Sequence, residues 1–136
     1  MVFFPKRIFD LNSILDISLP NSRKKKKIVL FDELLKISSL RLYTFKEKGI
    51  TCCSCGREGT HFRLQKTDRE KIFHLGLWSD DGIEMTKDHI VPKSFGGYDH
   101  IDNMQTMCEK CNGKKSNDVT EKDYLNGYYK KGEENV

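Results

Sequence analysis

Two Cys-x-x-Cys pairs, Cys52/Cys55 and Cys108/Cys111, constrain this chain more than any other feature. Each pair presents two thiolates from one turn, and two such knuckles supply the four soft ligands of a tetrahedral zinc site. Four thiolates leave no open position, so a zinc held there is structural rather than catalytic. The 52 residues between Cys55 and Cys108 exceed what a compact ribbon needs and must form a substructure of their own. A fifth cysteine, Cys53, lies inside the first pair. Its spacing to Cys55 is only Cys-x-Cys, which makes Cys52 the better ligand. Paired knuckles favour metal over disulfides, and with that a reducing compartment. The alternative, four unrelated buried cysteines, leaves the paired spacing unexplained.

A metal staple suits the rest of the chain. Its 136 residues predict one domain with a small core, a size at which a bound metal adds stability that the core alone lacks. Residues 1–30 read as a basic N-terminal extension, 31–130 as the main domain and 131–136 as a frayed tail. The first fifty residues carry 11 Lys/Arg against 5 Asp/Glu, whereas the remainder carries 13 against 15. That asymmetry suits a polyanionic partner, with the basic half attracting phosphates without sequence preference. The run Arg23, Lys24, Lys25, Lys26, Lys27 is its densest part; a solvated linker is the bland reading of such a run. No segment approaches the length of a membrane span. Pro5, Lys6 and Arg7 interrupt the apolar start before a signal-peptide core forms. The expectation is an intracellular, cytoplasmic protein.

Coarse secondary structure follows from periodicity. Phe9, Leu11, Ile14, Leu15, Ile17 and Leu19 predict a short helix or strand, broken by Pro20. Over residues 31–48, Phe31, Leu34, Leu35, Leu42 and Phe45 fall near one helical face, with Gly49 as the stop. Residues 61–66 and 72–79 predict strands, the second with Phe73, Leu75 and Leu77 on one side. Asp80-Asp81-Gly82 predicts a turn, and residues 83–90 the next strand, ending at Asp88-His89. Pro92 blocks further pairing. Residues 104–107 form a short return strand and 109–118 a helix bearing Cys111, Asn112 and Lys115. Thr120 with Asp123 resembles a capping box for a last helix.

The chemistry centres on Asp88, His89 and Asn112. Phosphodiester hydrolysis needs an activated water and a cation beside the phosphate. Histidine takes a proton near neutral pH. A carboxylate and an amide oxygen are hard ligands suited to magnesium or manganese. Adjacent helical residues point about 100° apart, so Cys111 can face zinc while Asn112 faces the cleft. Each residue alone reads as an ordinary strand or helix terminus; the spacing of the three together favours a site.

The segments DHIVPKSFGG, IDNMQTMC and EKCNGKK resemble the HNH nuclease family, including its zinc-bearing members, and EKGITCCSCG resembles the approach to their first Cys pair. The resemblance spans roughly residues 40–117. Here the motif reads His89, Asn103, Asn112, with Asn in place of the final His, as in many family members. It implies an α+β fold around a ββα-metal finger, here with an N-terminal helical extension and an inserted antiparallel β segment. It implies an endonuclease acting on DNA, with His89 as general base and Asp88 and Asn112 holding the catalytic Mg2+ or Mn2+. Asn103 fastens the loop and orients His89; Lys115 holds a phosphate, with Lys114 and Lys93 as further nucleic-acid contacts. A single finger reaches one strand of a duplex, so a double-strand break takes a homodimer or two visits. Free-standing HNH proteins of this size are frequent in phages and mobile elements. Two rival readings stand: a non-catalytic zinc module that binds nucleic acid, and a nuclease subunit active only within a larger assembly such as a phage packaging complex. The first has no use for Asp88, His89 and Asn112.

Overall fold

The strand expected at 72–79 lies at the centre of the main sheet. The computed structural model describes residues 7–20, 26–30, 33–66, 69–70 and 73–118. Within them, β1 (Arg7–Asp10) leads into a short helix α1 (Leu11–Leu15), then a hairpin of β2 (Lys27–Leu30) and β3 (Glu33–Lys36), and helix α2 (Leu40–Lys48). Strands β4 (His61–Gln65), β5 (His74–Trp78), β6 (Glu84–His89) and β7 (Met104–Cys108) follow, then helix α3 (Glu109–Asp118). The larger sheet has five strands in the order β1-β4-β5-β6-β7, each neighbouring pair antiparallel. The β2–β3 hairpin is a separate two-stranded sheet.

The core follows from strand alternation. Phe62 pairs with Leu77 and Leu64 with Leu75, while Leu77 also pairs with Met85, so all five point to one face. Ile14 of α1, Leu35 of β3, and Leu42 and Phe45 of α2 pack against them. The rings of Phe45 and Phe62 lie 6.3 Å apart at a tilt, and removing such a ring costs about 3–5 kcal/mol. Residues 7–20 therefore belong to the sheet and core: β1 hydrogen-bonds to β4 from Arg7↔Leu64 to Asp10↔His61, and Ile14 is buried.

One expectation is corrected. The helix predicted over 31–48 begins only at Leu40, because Glu33–Lys36 pairs with Lys27–Leu30. Leu34 and Leu35 fit either period; the strand partner decides. Ser39 then starts the helix, its hydroxyl accepting from the Leu42 amide. Ser38 lies before the helix, its hydroxyl accepting from the Lys26 amide. Gly49, at φ 98°, ends the helix as predicted, after Lys46 and Lys48 in the last turn. The helix expected after Thr120 and the run 21–25 lie outside the described residues.

Beyond the core, the sheet forks. Strands β5 and β6 pair only through Leu77↔Met85 and Trp78↔Glu84. Arg41 Nη2 donates to the Leu75 carbonyl at 2.7 Å, where the sheet opens. Past that fork, β6 pairs with β7 through five positions, from Met85↔Cys108 to His89↔Met104. Helix α3 packs on both strands. Among the described residues, no helix is long and apolar enough to cross a membrane.

Candidate active site

The thiols meet at one end of the β6–β7 ladder. Cys108 closes β7, and Cys111 sits in the first turn of α3. The first knuckle is a tight turn: the Gly56 amide returns to the Cys52 carbonyl at 3.1 Å, with Gly56 at φ 82°. It is fastened to β7 by the Cys53 amide on the Thr106 carbonyl and by the Thr106 hydroxyl on the Gly49 carbonyl. The Sγ atoms of Cys52, Cys55, Cys108 and Cys111 all lie within 4.8 Å of one another, and those of Cys55 and Cys108 are 3.8 Å apart. A tetrahedron with Zn–S bonds of about 2.3 Å puts its sulfurs roughly 3.8 Å apart, so the four fit a zinc ion. Cys52, not Cys53, joins the cluster.

The electrostatics favour a cation there. Burial pushes the Cys52 thiol up, but hydrogen bonds from the backbone of Cys55, Cys108 and Ser54 outweigh it and bring it to about 7. Burial, with the Cys108 and Cys55 thiols beside it, pushes Cys111 up to about 12. Four thiolates at this distance therefore need a metal's charge to coexist. Arg57 adds a supporting donor, its Nη1 lying 3.3 Å from Cys108 Sγ while Nε binds Asp81.

The polar residues run along β6 from the thiol end to the other. Glu84, Thr86 and Asp88 alternate onto the α3 side of β6. The Asn112 amide nitrogen donates to Thr86 Oγ1 at 2.9 Å, and Lys115 Nζ to Asp88 Oδ2 at 2.6 Å. Three-residue steps on the helix thus match two-residue steps on the strand. Asn112 lies over Thr86, the same-side neighbour of Asp88 on β6.

Asp88 is buried, 7% exposed, and Gln105 Nε2 also donates to its Oδ2. Both of these bonds fall on Oδ2, and Asn112 donates through its nitrogen, so Asp88 Oδ1 and Asn112 Oδ1 suit a hard divalent cation. Lys115 is 6% exposed and also donates to the carbonyls of His89 and Ile90. This corrects the expectation that Lys115 offers itself to a phosphate. Its apolar stem and the carboxylate below draw the ammonium inward, where it supplies the positive charge that Asp88 requires.

His89 ends β6 with its side chain 19% exposed. The loop after it is tightly built. Asn103 accepts from the Val91 amide and donates to the Val91 and Tyr98 carbonyls, while the Ile90 amide reaches the Asn103 carbonyl. A Cβ at Gly97 would stand 1.7 Å from the Val91 carbonyl oxygen, so only glycine fits there. His89 Nε2 lies 2.6 Å from Asp99 Oδ1, and Lys93 Nζ 2.7 Å from Asp99 Oδ2. Those bonds from Lys93 and His89 hold the Asp99 carboxyl down at about 2. Asp99, Gln105, Thr86 and Arg57 carry no signal in periodicity or spacing; only the folded loop and ladder bring them to the site. His100 caps the short turn before Asn103 through its Nδ1.

Lys114 is exposed on α3, and Lys93 is 65% exposed. Lys26 and Lys27 are exposed beside the hairpin. Arg23, Lys24 and Lys25 lie outside the described residues. Lys27, Lys36, Arg41 and His74 line one cavity of about 400 Å³, concentrating basic groups between the hairpin and β5.

No curated protein and no solved structure matches the chain. Residues 80–123, which hold β6, the loop, β7, α3 and the second Cys pair, match the model of the HNH endonuclease family. That match groups the segment 80–123, and the residues it encloses, with the HNH endonucleases.

Proposed function

We propose that the chain is a metal-dependent endonuclease that hydrolyses phosphodiester bonds in DNA, built on a ββα-metal finger of β6, β7 and α3. The observation that carries this reading is the arrangement of these residues along one strand and its loop. His89 is partly open to solvent beside the buried Asp88, Asn112 binds Thr86, the same-side neighbour of Asp88 on β6, and Asn103 closes the loop between the strands. Asp88 and Asn112 would hold a magnesium or manganese ion, which would supply charge neutralisation at the scissile phosphate. Cys52, Cys55, Cys108 and Cys111 would hold a structural zinc that ties the start of α3 to the first knuckle.

His89 takes a proton from water. The hydroxide oxygen bonds to phosphorus as the bond to the 3′-oxygen breaks. That oxygen acquires a proton from solvent, and His89 returns its own to solvent. The products carry 5′-phosphate and 3′-hydroxyl ends. Lys93, Lys114 and the basic residues 23–27 contact phosphates away from the reacting bond.

The test is cleavage of supercoiled plasmid with magnesium, with manganese or with chelator, beside His89→Ala. The variant loses roughly 10²- to 10⁴-fold in rate, with zinc content unchanged. Equal cleavage by variant and parent in magnesium overturns the mechanism and makes the zinc-binding module the better reading.

A further inference from the structure

We propose that Asp99 is a positioning residue for His89, fixing the imidazole so that Nδ1 faces the attacking water; this rests on the reading of His89 as general base. The geometry is specific. Asp99 Oδ1 meets His89 Nε2 at 2.6 Å, and Lys93 Nζ secures the other carboxylate oxygen at 2.7 Å. A carboxylate accepts hydrogen bonds and has no proton to give, so Nε2 carries the hydrogen and the lone pair lies on Nδ1. The Asp99 carboxyl, held at about 2, stays in that accepting form across the working range.

The loop explains why the carboxylate is where it is. Asn103 donates to the carbonyl of Tyr98, the residue before Asp99, and grips Val91 on the opposite side. Gly97 seats against the Val91 carbonyl in a space no side chain enters. The loop therefore carries the Asp99 backbone as a fixed mount. Asn103 acts on His89 through two linked interactions: Asn103 on the Tyr98 carbonyl, then Asp99 on the imidazole. No bond between the Asn103 side chain and His89 is needed.

The opposite role is also chemically defined. If the catalytic nitrogen were Nε2, Asp99 would occupy it and hold the enzyme idle. Removing the carboxylate separates the two, because positioning predicts a slower enzyme and occlusion a faster one.

The experiment compares Asp99→Ala, Asp99→Glu, His89→Ala and the Asp99→Ala/His89→Ala double variant in plasmid nicking with magnesium. Each is checked for zinc content and thermal midpoint. Asp99→Ala lowers kcat by about 10²-fold, the scale of a small misplacement of a reacting group, with KM and zinc content unchanged. Asp99→Glu recovers part of the loss. In the His89→Ala background the Asp99 change has no further effect, because the two act as a unit. Nitrogen NMR of His89 shows the Nε2–H tautomer in the parent and a tautomer mixture in Asp99→Ala. An Asp99→Ala enzyme as fast as the parent or faster, beside an inactive His89→Ala, overturns this assignment and leaves the nuclease reading standing. A His89→Ala enzyme as active as the parent overturns both.

Discussion

At the Met85–Cys108 end of the β6–β7 ladder, four sulfurs crowd within 4.8 Å of one another. Toward the His89–Met104 end, Asp88 has Lys115 and Gln105 and His89 has Asp99, while Asn112, on Thr86, lies between them and the thiols. The same two strands serve both ends, yet the ends relate to metal differently. Four thiolates this close repel one another even with backbone amides and Arg57 donating to them, so that end calls for a cation to hold it together. The oxygen ligands are satisfied by the protein's own cation and amides, so that end stands assembled before any ion arrives. On the proposed reading, a metal on the thiolates would belong to the fold and one on the oxygens to the reaction.

The largest effect comes from breaking the thiolate end. Cys108→Ser, or strong chelation, unfolds the finger, because a structural zinc site contributes on the order of 10 kcal/mol, comparable to the whole stability of a domain this size. Loss of the cooperative thermal transition together with zinc is the expected result. A folded, zinc-free variant with an unchanged transition contradicts it. Cys53→Ser leaves both intact.

The oxygen end responds in a graded way. Lys115→Met leaves Asp88 buried without its partner and costs about 3–5 kcal/mol in denaturant unfolding. Manganese, taking the place of the missing ammonium, restores more stability to the variant than it adds to the parent. An equal manganese effect on both proteins means that Lys115 does not compete for Asp88.

The smallest effect lies outside both ends. Replacing Lys24, Lys25, Lys26 and Lys27 with Gln weakens DNA binding for all sequences alike. It lowers the salt-dependence slope by up to about 3–4, close to one for each phosphate that is no longer neutralised. A changed sequence preference with an unchanged slope contradicts a phosphate-binding role.

The contrast between the ends also accounts for how much was legible in the chain. Cys52, Cys55, Cys108 and Cys111 were readable because a knuckle imposes fixed spacing. Residues 83–90, 104–107 and 109–118 were readable because alternation, Pro92 and the second knuckle set their limits. The partners at the oxygen end were not, since each depends on a meeting across the fold. Lys115 shows its helical position but not that Asp88 lies sealed beneath it, 27 residues earlier. Asp99 is one polar residue in a loop until that loop closes. Strand β1 needs a partner some fifty residues away, and Leu34-Leu35 fits helix or strand until Lys27–Leu30 pairs alongside.

Gly97 carries a consequence for genetics. The position has no side chain and takes part in no chemistry, yet any replacement drives a carbon into the Val91 carbonyl. Opening that close approach loosens the Asn103 grip on Val91 and Tyr98, and with it the mount beneath Asp99. In a mutational scan scored by cleavage, Gly97 would rank with His89 and Asp88 as intolerant of every change. Scored by zinc retention, it would separate from Cys52 and Cys108, because the knuckles sit at the far end of the ladder. Two such scans laid side by side would divide the finger into residues that keep it folded and residues that aim it.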